Sequence, residues 1–446
     1  MPDCPYNTDG LPQIRAGAAQ TVITPPVGTS LAGYFQDRVS ESVRDDLHCR
    51  ALVLEASGEK IVLVSCDLIS IPRDIALPAK ERIQKQTNIA PDNVLICATH
   101  THTGPETRIG RVVPANTDYL ATLPRLIADT VAAADADMFE ALLFTGREEE
   151  HQLGTIRLGR KTDGSEVFGK THVIGPARDI DPEVLAVIVR DMRGRVRAVL
   201  VNYANHVDVI GGGGAKFLSA DWPGEMAKAV AGVYGPDVVT LLLNGACGDI
   251  NHHYWRPTRH PTGGPVKAQQ IGRAIAGLAV SAGEKAEPLD TASCGALLKV
   301  VDIPHYTRDQ AMRREVDALR ARHDLSAAES YVVKAFDEWD LDDKMAPLAL
   351  QVLRLGDLVF VGLPGEIFTD WGKEIKRWSP AGFTFIAELA NDWFGYIPTT
   401  DQARRGAYGA KPILSRRLDA DGGRQMADAV QVMLYELWSA TGESGQ

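Results

Sequence analysis

At 446 residues, 45% apolar and 24% charged, the chain has the composition of an ordinary globular protein, with apolar material for one large core or two smaller ones. Its formal charge of -11, with Lys and Arg scattered rather than clustered, gives no electrostatic footprint for phosphate backbones or anionic lipid. Six cysteines without a C-x-x-C pair read as small hydrophobes in a reducing compartment. The first residues carry neither a basic nor an apolar region of a secretion signal, and no stretch approaches the ~18 apolar residues that span a bilayer. The expectations are therefore a cytoplasmic location, a small-molecule substrate, no nucleic acid and no stable membrane association, with the oligomeric state open.

Short apolar, β-branched runs recur at 51–55, 61–66, 94–98, 184–189, 198–201, 238–243, 348–353, 358–361 and 383–386, each of strand length. Between them lie stretches with apolar residues at three- and four-residue steps, such as Leu120, Leu123, Ile127 and Val131, or Ile271, Ile275 and Leu278. Met426, Val430, Met433, Leu434 and Leu437 predict a packed helix near the end of the sequence. The alternation predicts an α/β fold with a large mixed β-sheet core flanked by helices. Residues 307–343 are charge-rich with a helical pattern, and a strand is expected near Cys294. One domain over 1–446 is expected, with a weaker possible boundary near 287–294.

Five segments carry chemistry. VLICATHTHTGP at 94–105 is a strand that ends in His100 and His102; residues two apart on a strand share a face, so both rings could enter one cleft, as metal ligands or as loop histidines bonded to backbone. NYANH at 202–206 is a second strand ending in a histidine, His206, followed by four glycines at 211–214 that permit close approach or movement. Asp221, ahead of Pro223 and a helical run, reads as a helix cap and is also carried as a substrate contact. In NGACGDINH at 244–252, Asn244, Asp249, Asn251 and His252 either line a cleft or supply turn hydrogen bonds. Glu366 in LPGE reads as a residue of a first helical turn, and Tyr396 in GYIPTT as packing or ligand.

Taken in order, ITPPVG, ATHTHTGP, NYANH, LSADWPG, NGACGDIN, LPGE and GYIPTT resemble the catalytic domain of the neutral, non-lysosomal ceramidases from about Ala16 to about Leu437. The resemblance implies one Zn2+ held by His100, His206, Glu366 and Tyr396. Such an ion polarises a carbonyl and lowers the pKa of its water towards ~7. Beside such a metal, His102 and Asp249 are read as assisting proton movement, with orientation of a ligand as the alternative for His102. At the place of a serine that the family uses in catalysis stands Asn251, which can contact substrate or an oxyanion but cannot be a nucleophile. His252 joins Asp221 as a substrate contact. With the expected lack of a C-terminal immunoglobulin-like domain, the Asn251 departure moves the expected substrate from a sphingolipid to a small soluble amide. The alternatives are a zinc lactonase, esterase or lyase acting on a sugar-like acid, and a metal-retaining protein that binds a metabolite without turning it over.

Overall fold

The computed structural model describes residues 4–168, 172–211, 214–252, 255 and 258–441. Its largest sheet contains β1 (Ile14–Val22), β2 (His48–Ala56), β3 (Glu59–Cys66), β4 (Val94–Ala98), β5 (Phe139–Glu149), β6 (Glu183–Asp191), β7 (Val196–Tyr203) and β8 (Val239–Asn244), in the spatial order β8-β7-β6-β5-β1-β2-β3-β4. Neighbours are antiparallel except β3 with β4 and β7 with β8, so the sheet is mixed, as expected. A second sheet runs β9 (Cys294–Pro304), β10 (Met345–Leu355), β11 (Leu358–Gly362) and β12 (Phe383–Ala387), with β11 and β12 parallel.

The apolar runs are continuous because both faces of the first sheet are covered. Side chains alternate between two cores: Ala51, Val53, Val62, Val64, Val94 and Ile96 face helices α1 (Arg73–Thr87) and α2 (Leu123–Ala136), while Leu52, Leu54, Leu63 and Leu95 face Leu353, Phe360 and Phe385 of the second sheet. On the far half of the sheet, α3 (Asp221–Tyr234) and α4 (Gly264–Glu284) cover Val184, Ala186, Val199 and Val201. The second sheet turns its other face, with Val352, Val359 and Val361, to α7 (Thr369–Trp378) and α8 (Gly422–Ala440). The result is four layers, helices outside and two sheets face to face inside. A buried aromatic at the sheet-sheet contact such as Phe360 is worth about 3–5 kcal/mol by truncation to alanine.

Residues 307–343 form α5 (Gln310–Arg320) and α6 (Ala327–Asp337), whose own small core includes Val316, Val332, Phe336 and Trp339. The expected boundary near 287–294 coincides with the approach to β9, yet the strands beyond it share a core with the first sheet. Among the described residues, no helix is long and apolar enough to cross a membrane.

Candidate metal centre

His100 and His102 do not lie on a strand. After β4 ends at Ala98 the chain bends, with the Thr99 amide donating to Cys66 O at 2.8 Å and the His100 amide to Leu68 O at 2.9 Å, and His100 takes a φ of 76°. A left-handed histidine is uncommon and persists only where its surroundings over-determine it. The two rings meet, 4.8 Å between centroids, through this turn rather than through the two-residue period of a strand. His206 likewise lies beyond its strand, three residues after Tyr203 ends β7. Glu366 is not in a helical turn: Glu366–Ile367 pairs in parallel with Tyr396–Ile397, and α7 begins only at Thr369. That pairing places the carboxylate and the phenol residue side by side.

Asn244 fastens these segments together. Its Nδ2 donates to Thr99 O at 3.1 Å and to Asn205 O at 3.2 Å, its Oδ1 accepts from the Asn205 amide, and its own carbonyl accepts from Glu388. The residues just before His100 and His206 thus share one buried side chain, whose hydrogen bonds fix their relative geometry.

The imidazole Nε2 atoms converge. His100 Nε2 is 3.2 Å from His206 Nε2, 3.3 Å from His102 Nε2 and 3.4 Å from Glu366 Oε2. His100 Nδ1 stands 2.8 Å from Ile69 O, which can only accept, so Nδ1 carries a hydrogen and Nε2 is the ring nitrogen turned to the cluster. Burial, with neighbouring cationic groups adding to it, holds His102 and His206 well below the ordinary imidazole pKa. Burial alone would raise the Glu366 carboxyl, but His100 and the Tyr396 hydroxyl hold it down, at about 2. Three imidazole nitrogens and a carboxylate thus converge in one buried site, a donor set that a single cation could share. Nitrogen and oxygen donors in this arrangement suit zinc. The three histidines could hold a metal by geometry alone, so His102 is as close to the cluster as the expected ligand His206.

Around the cluster stand residues that no motif announced. Arg157 is buried, with its guanidinium carbon 4.2 Å from the centre of the Tyr408 ring and its Nε donating to Ile250 O at 3.1 Å. Burial would lower its pKa, but Tyr408, Tyr396, Asp208 and Glu366 outweigh it, so the charge is held firmly and helps keep His206 and His102 neutral. The Tyr408 hydroxyl lies 3.4 Å from that of Tyr396. Tyr34 stands edge-on to His102 at 5.7 Å and donates to Asp208 at 2.5 Å. Isolated arginines and tyrosines from distant segments leave no local signal; only the AYG turn at 407–409 near Tyr408 hints at a bend.

The cluster opens into a narrow cleft of about 90 Å3, lined by His100, His102, Glu366 and Tyr396 on the inside and by Tyr34, Arg108, Arg111 and Trp393 further out. His206 and Asn244 lie outside this lining, and so do four further sequence candidates. Asp221 is buried with φ 57°, and its carboxylate accepts from the amides of Val209, Ile210 and Trp222, so it ties the loop after His206 to α3 instead of facing substrate. Asp249 accepts from Thr369, described below. Asn251 pairs with Thr155 across a short antiparallel ladder, and its side-chain oxygen accepts from the His252 amide at 2.6 Å. His252 lies beside it, outside the cleft lining. Of the glycine run, Gly212 and Gly213 lie outside the described residues.

No family model matches the sequence, and no curated protein matches it. Solved structures do match. The neutral ceramidase from Pseudomonas aeruginosa superimposes with a TM-score of 0.76 at 17% identity, over 96% of this chain and 75% of that one. A ceramidase complexed with C2 gives 0.75 at 16% identity, over 98% and 77%. At these identities the likeness is one of fold: the chain has the α/β architecture of the neutral ceramidases, as its motifs imply.

Proposed function

We propose that the chain is a zinc-dependent hydrolase that cleaves an amide or related acyl bond of a small substrate. The observation that carries this reading is the convergence of His100, His206 and Glu366, with Tyr396 on the strand paired beside Glu366, at a buried cleft. His100, His206, Glu366 and Tyr396 would hold the ion, which when bound polarises a carbonyl and makes water a nucleophile at neutral pH. The ceramidase fold supports a hydrolase without specifying the substrate. The six cysteines are free thiols, which supports a cytoplasmic setting.

The chain's own groups have distinct parts in this reading. His102, with a lone pair facing the cluster and Asp208 3.8 Å behind its Nδ1, is placed to take a proton from the attacking water and return it to the leaving nitrogen. Tyr408 and Arg157 offer a donor and a fixed positive charge where negative charge develops on the acyl oxygen. Arg108 and Trp393 wall the outer cleft, so the part of the substrate away from the scissile bond rests there.

The test is turnover by zinc-loaded protein of N-acyl amines, amides and lactones, with and without a chelator. Zinc-dependent cleavage that disappears on chelation and returns on reloading is expected. Absence of turnover at full zinc occupancy, or turnover indifferent to chelation, overturns the reading. His206→Ala and Glu366→Gln should lose zinc, whereas His102→Gln should keep it while losing turnover; full occupancy in the first two, or loss in the third, reassigns the ligand set.

A further inference from the structure

We infer that the substrate carries a carboxylate, seated on Arg108, Arg111 and Arg417 at the outer end of the cleft. This deepens the hydrolase reading and rests on it for the position of the scissile bond. Arg108 and Arg111 line both the inner cleft and a groove that continues outward past Tyr331, Trp393 and Arg417. A molecule with its acyl group at the histidines would therefore extend along these guanidinium groups.

The three arginines gather on one ring. Their guanidinium carbons lie 4.9, 5.1 and 5.4 Å from the Trp393 ring centre, in the order Arg108, Arg111, Arg417. Stacking on an aromatic face attracts each cation, but it places like charges together. Arg108 is answered by Glu106, which accepts from its Nε at 2.7 Å and Nη2 at 2.8 Å. Arg111 has only the hydroxyl of Tyr331, 2.5 Å from its Nη1. Among the described residues neither Arg111 nor Arg417 has an ion pair. The nearby Asp392 carboxylate offsets part of the burial of Arg417 but forms no ion pair with it, and its Oδ1 already accepts from the Trp393 amide at 2.7 Å and the Arg73 amide at 3.3 Å. The buried Trp393 Nε1 has no acceptor either.

Buried arginines that serve the fold look different. Arg50 pairs with Asp67 at 2.7 Å, Arg354 donates to the carbonyls of Gly356 and Trp438, and Arg416 donates to those of Ala410 and Leu418. In each case a carboxylate or backbone carbonyls within the protein accept from the guanidinium. At the cleft mouth the donors outnumber the acceptors, and the surplus faces open space. The electrostatics agree: burial, then Arg108, push Arg111 down to about 10, and burial also lowers Arg417 with Arg108 adding to it. A bound anion would relieve both. The planar fork of a guanidinium matches a carboxylate in two parallel bonds, which a neutral amide cannot return. The substrate class is thus an amide bearing a carboxylate on the side away from the cleaved bond, of the N-acyl amino acid type.

The experiment measures binding of N-acetylglycine and of its neutral counterpart N-acetylglycinamide to the zinc-loaded protein by calorimetry, with hydrolysis of both followed separately. The acid should bind at least ten-fold more tightly in low salt, and Arg111→Gln and Arg417→Gln should each remove most of that preference. Thermal melting checks that the variants fold, and Arg111, at the rim, provides the test should Arg417→Gln not fold. Equal binding of acid and amide overturns the inference, as does a preference that survives in Arg111→Gln, since the carboxylate would then be bound at the histidine cluster. If the acid binds through the arginines and neither compound nor any longer N-acyl amino acid is hydrolysed, the anion site stands and the hydrolase reading falls.

Discussion

The Asp249 carboxylate accepts two 2.8 Å hydrogen bonds from Thr369, one from its amide and one from its hydroxyl. Beside it, the Gly248 amide donates to Ile367 O at 2.8 Å. The Gly-Asp turn after β8 is therefore pinned to the backbone that carries Glu366, and Gly248 has no room for a side chain, since a Cβ there would meet Glu366 O at 2.5 Å. Asp249 thus touches the segment that carries Glu366 and lies outside the cleft lining.

From this arrangement, Asp249→Ala should lower stability by about 2–3 kcal/mol, the cost of stranding buried donors, and weaken zinc binding together with it. Gly248→Ala should cost about 1–3 kcal/mol through overpacking. Urea denaturation with parallel zinc titration reads both. A variant Asp249→Ala with normal stability and zinc affinity but lost turnover would return Asp249 to a direct chemical part.

Asn251 offers a sharper separation. Because its side chain accepts from the His252 amide and lies off the cleft lining, Asn251→Ala should change turnover by only a few-fold, with zinc retained. A fall of ~10²-fold, the scale of a lost oxyanion donor, would place it against substrate after all. Steady-state kinetics at saturating and at low substrate distinguishes the two.

Removing the buried charge of Arg157 should slow turnover by ~10²-fold or more in Arg157→Met, with zinc still bound, since the residue stacks on Tyr408 and is no ligand. Arg157→Lys should recover little, because the planar stack is lost. Rapid turnover in Arg157→Met would remove this charge from the chemistry.

Lys80 makes stability depend on pH, far from the cleft. Burial on α1 lowers its pKa from 10.5 to about 7, with Asp92 opposing only in part. Between those values the unfolded chain binds the proton that the folded chain releases, so this group makes stability rise as pH climbs from about 7 towards 10.5, and its penalty is complete below about 7. Lys80→Met should therefore stabilise the protein, more at pH 6.5 than at pH 9.5. Equal gains in melting temperature at the two pH values would contradict this.

The strands were legible wherever both faces are buried, as at 61–66 and 94–98, because continuous β-branched runs of that length have few other homes. β1 gives little signal, since its IRAGAAQTV is small and polar where it packs closely on α2; a Cβ on Gly17 would meet Ala134 O. The face-to-face stacking of two sheets is not written in any periodicity, because an apolar face does not say what covers it. At the site, His100, His206, Glu366 and Tyr396 were legible only as members of a motif series, and the left-handed turn that aims His100 was not. Tyr408 reaches the cleft, and Arg157 and Asp208 reach the groups around it, from segments that pattern alone cannot connect.

His100 and His206 extend from the first sheet, whereas Glu366 and Tyr396 follow strands of the second. The proposed set of four donors is thus split across the seam, with two from each half of the polypeptide. Contacts so distant in sequence form slowly, after local helices and hairpins. Ion capture consequently reports on closure of the seam: Co2+ present during refolding would acquire its tetrahedral absorption together with burial of Phe360 and Phe385, not with the earlier gain of helix. The ion would then also act as a clasp, adding its binding free energy to the docking of the two sheets and to nothing that forms before it.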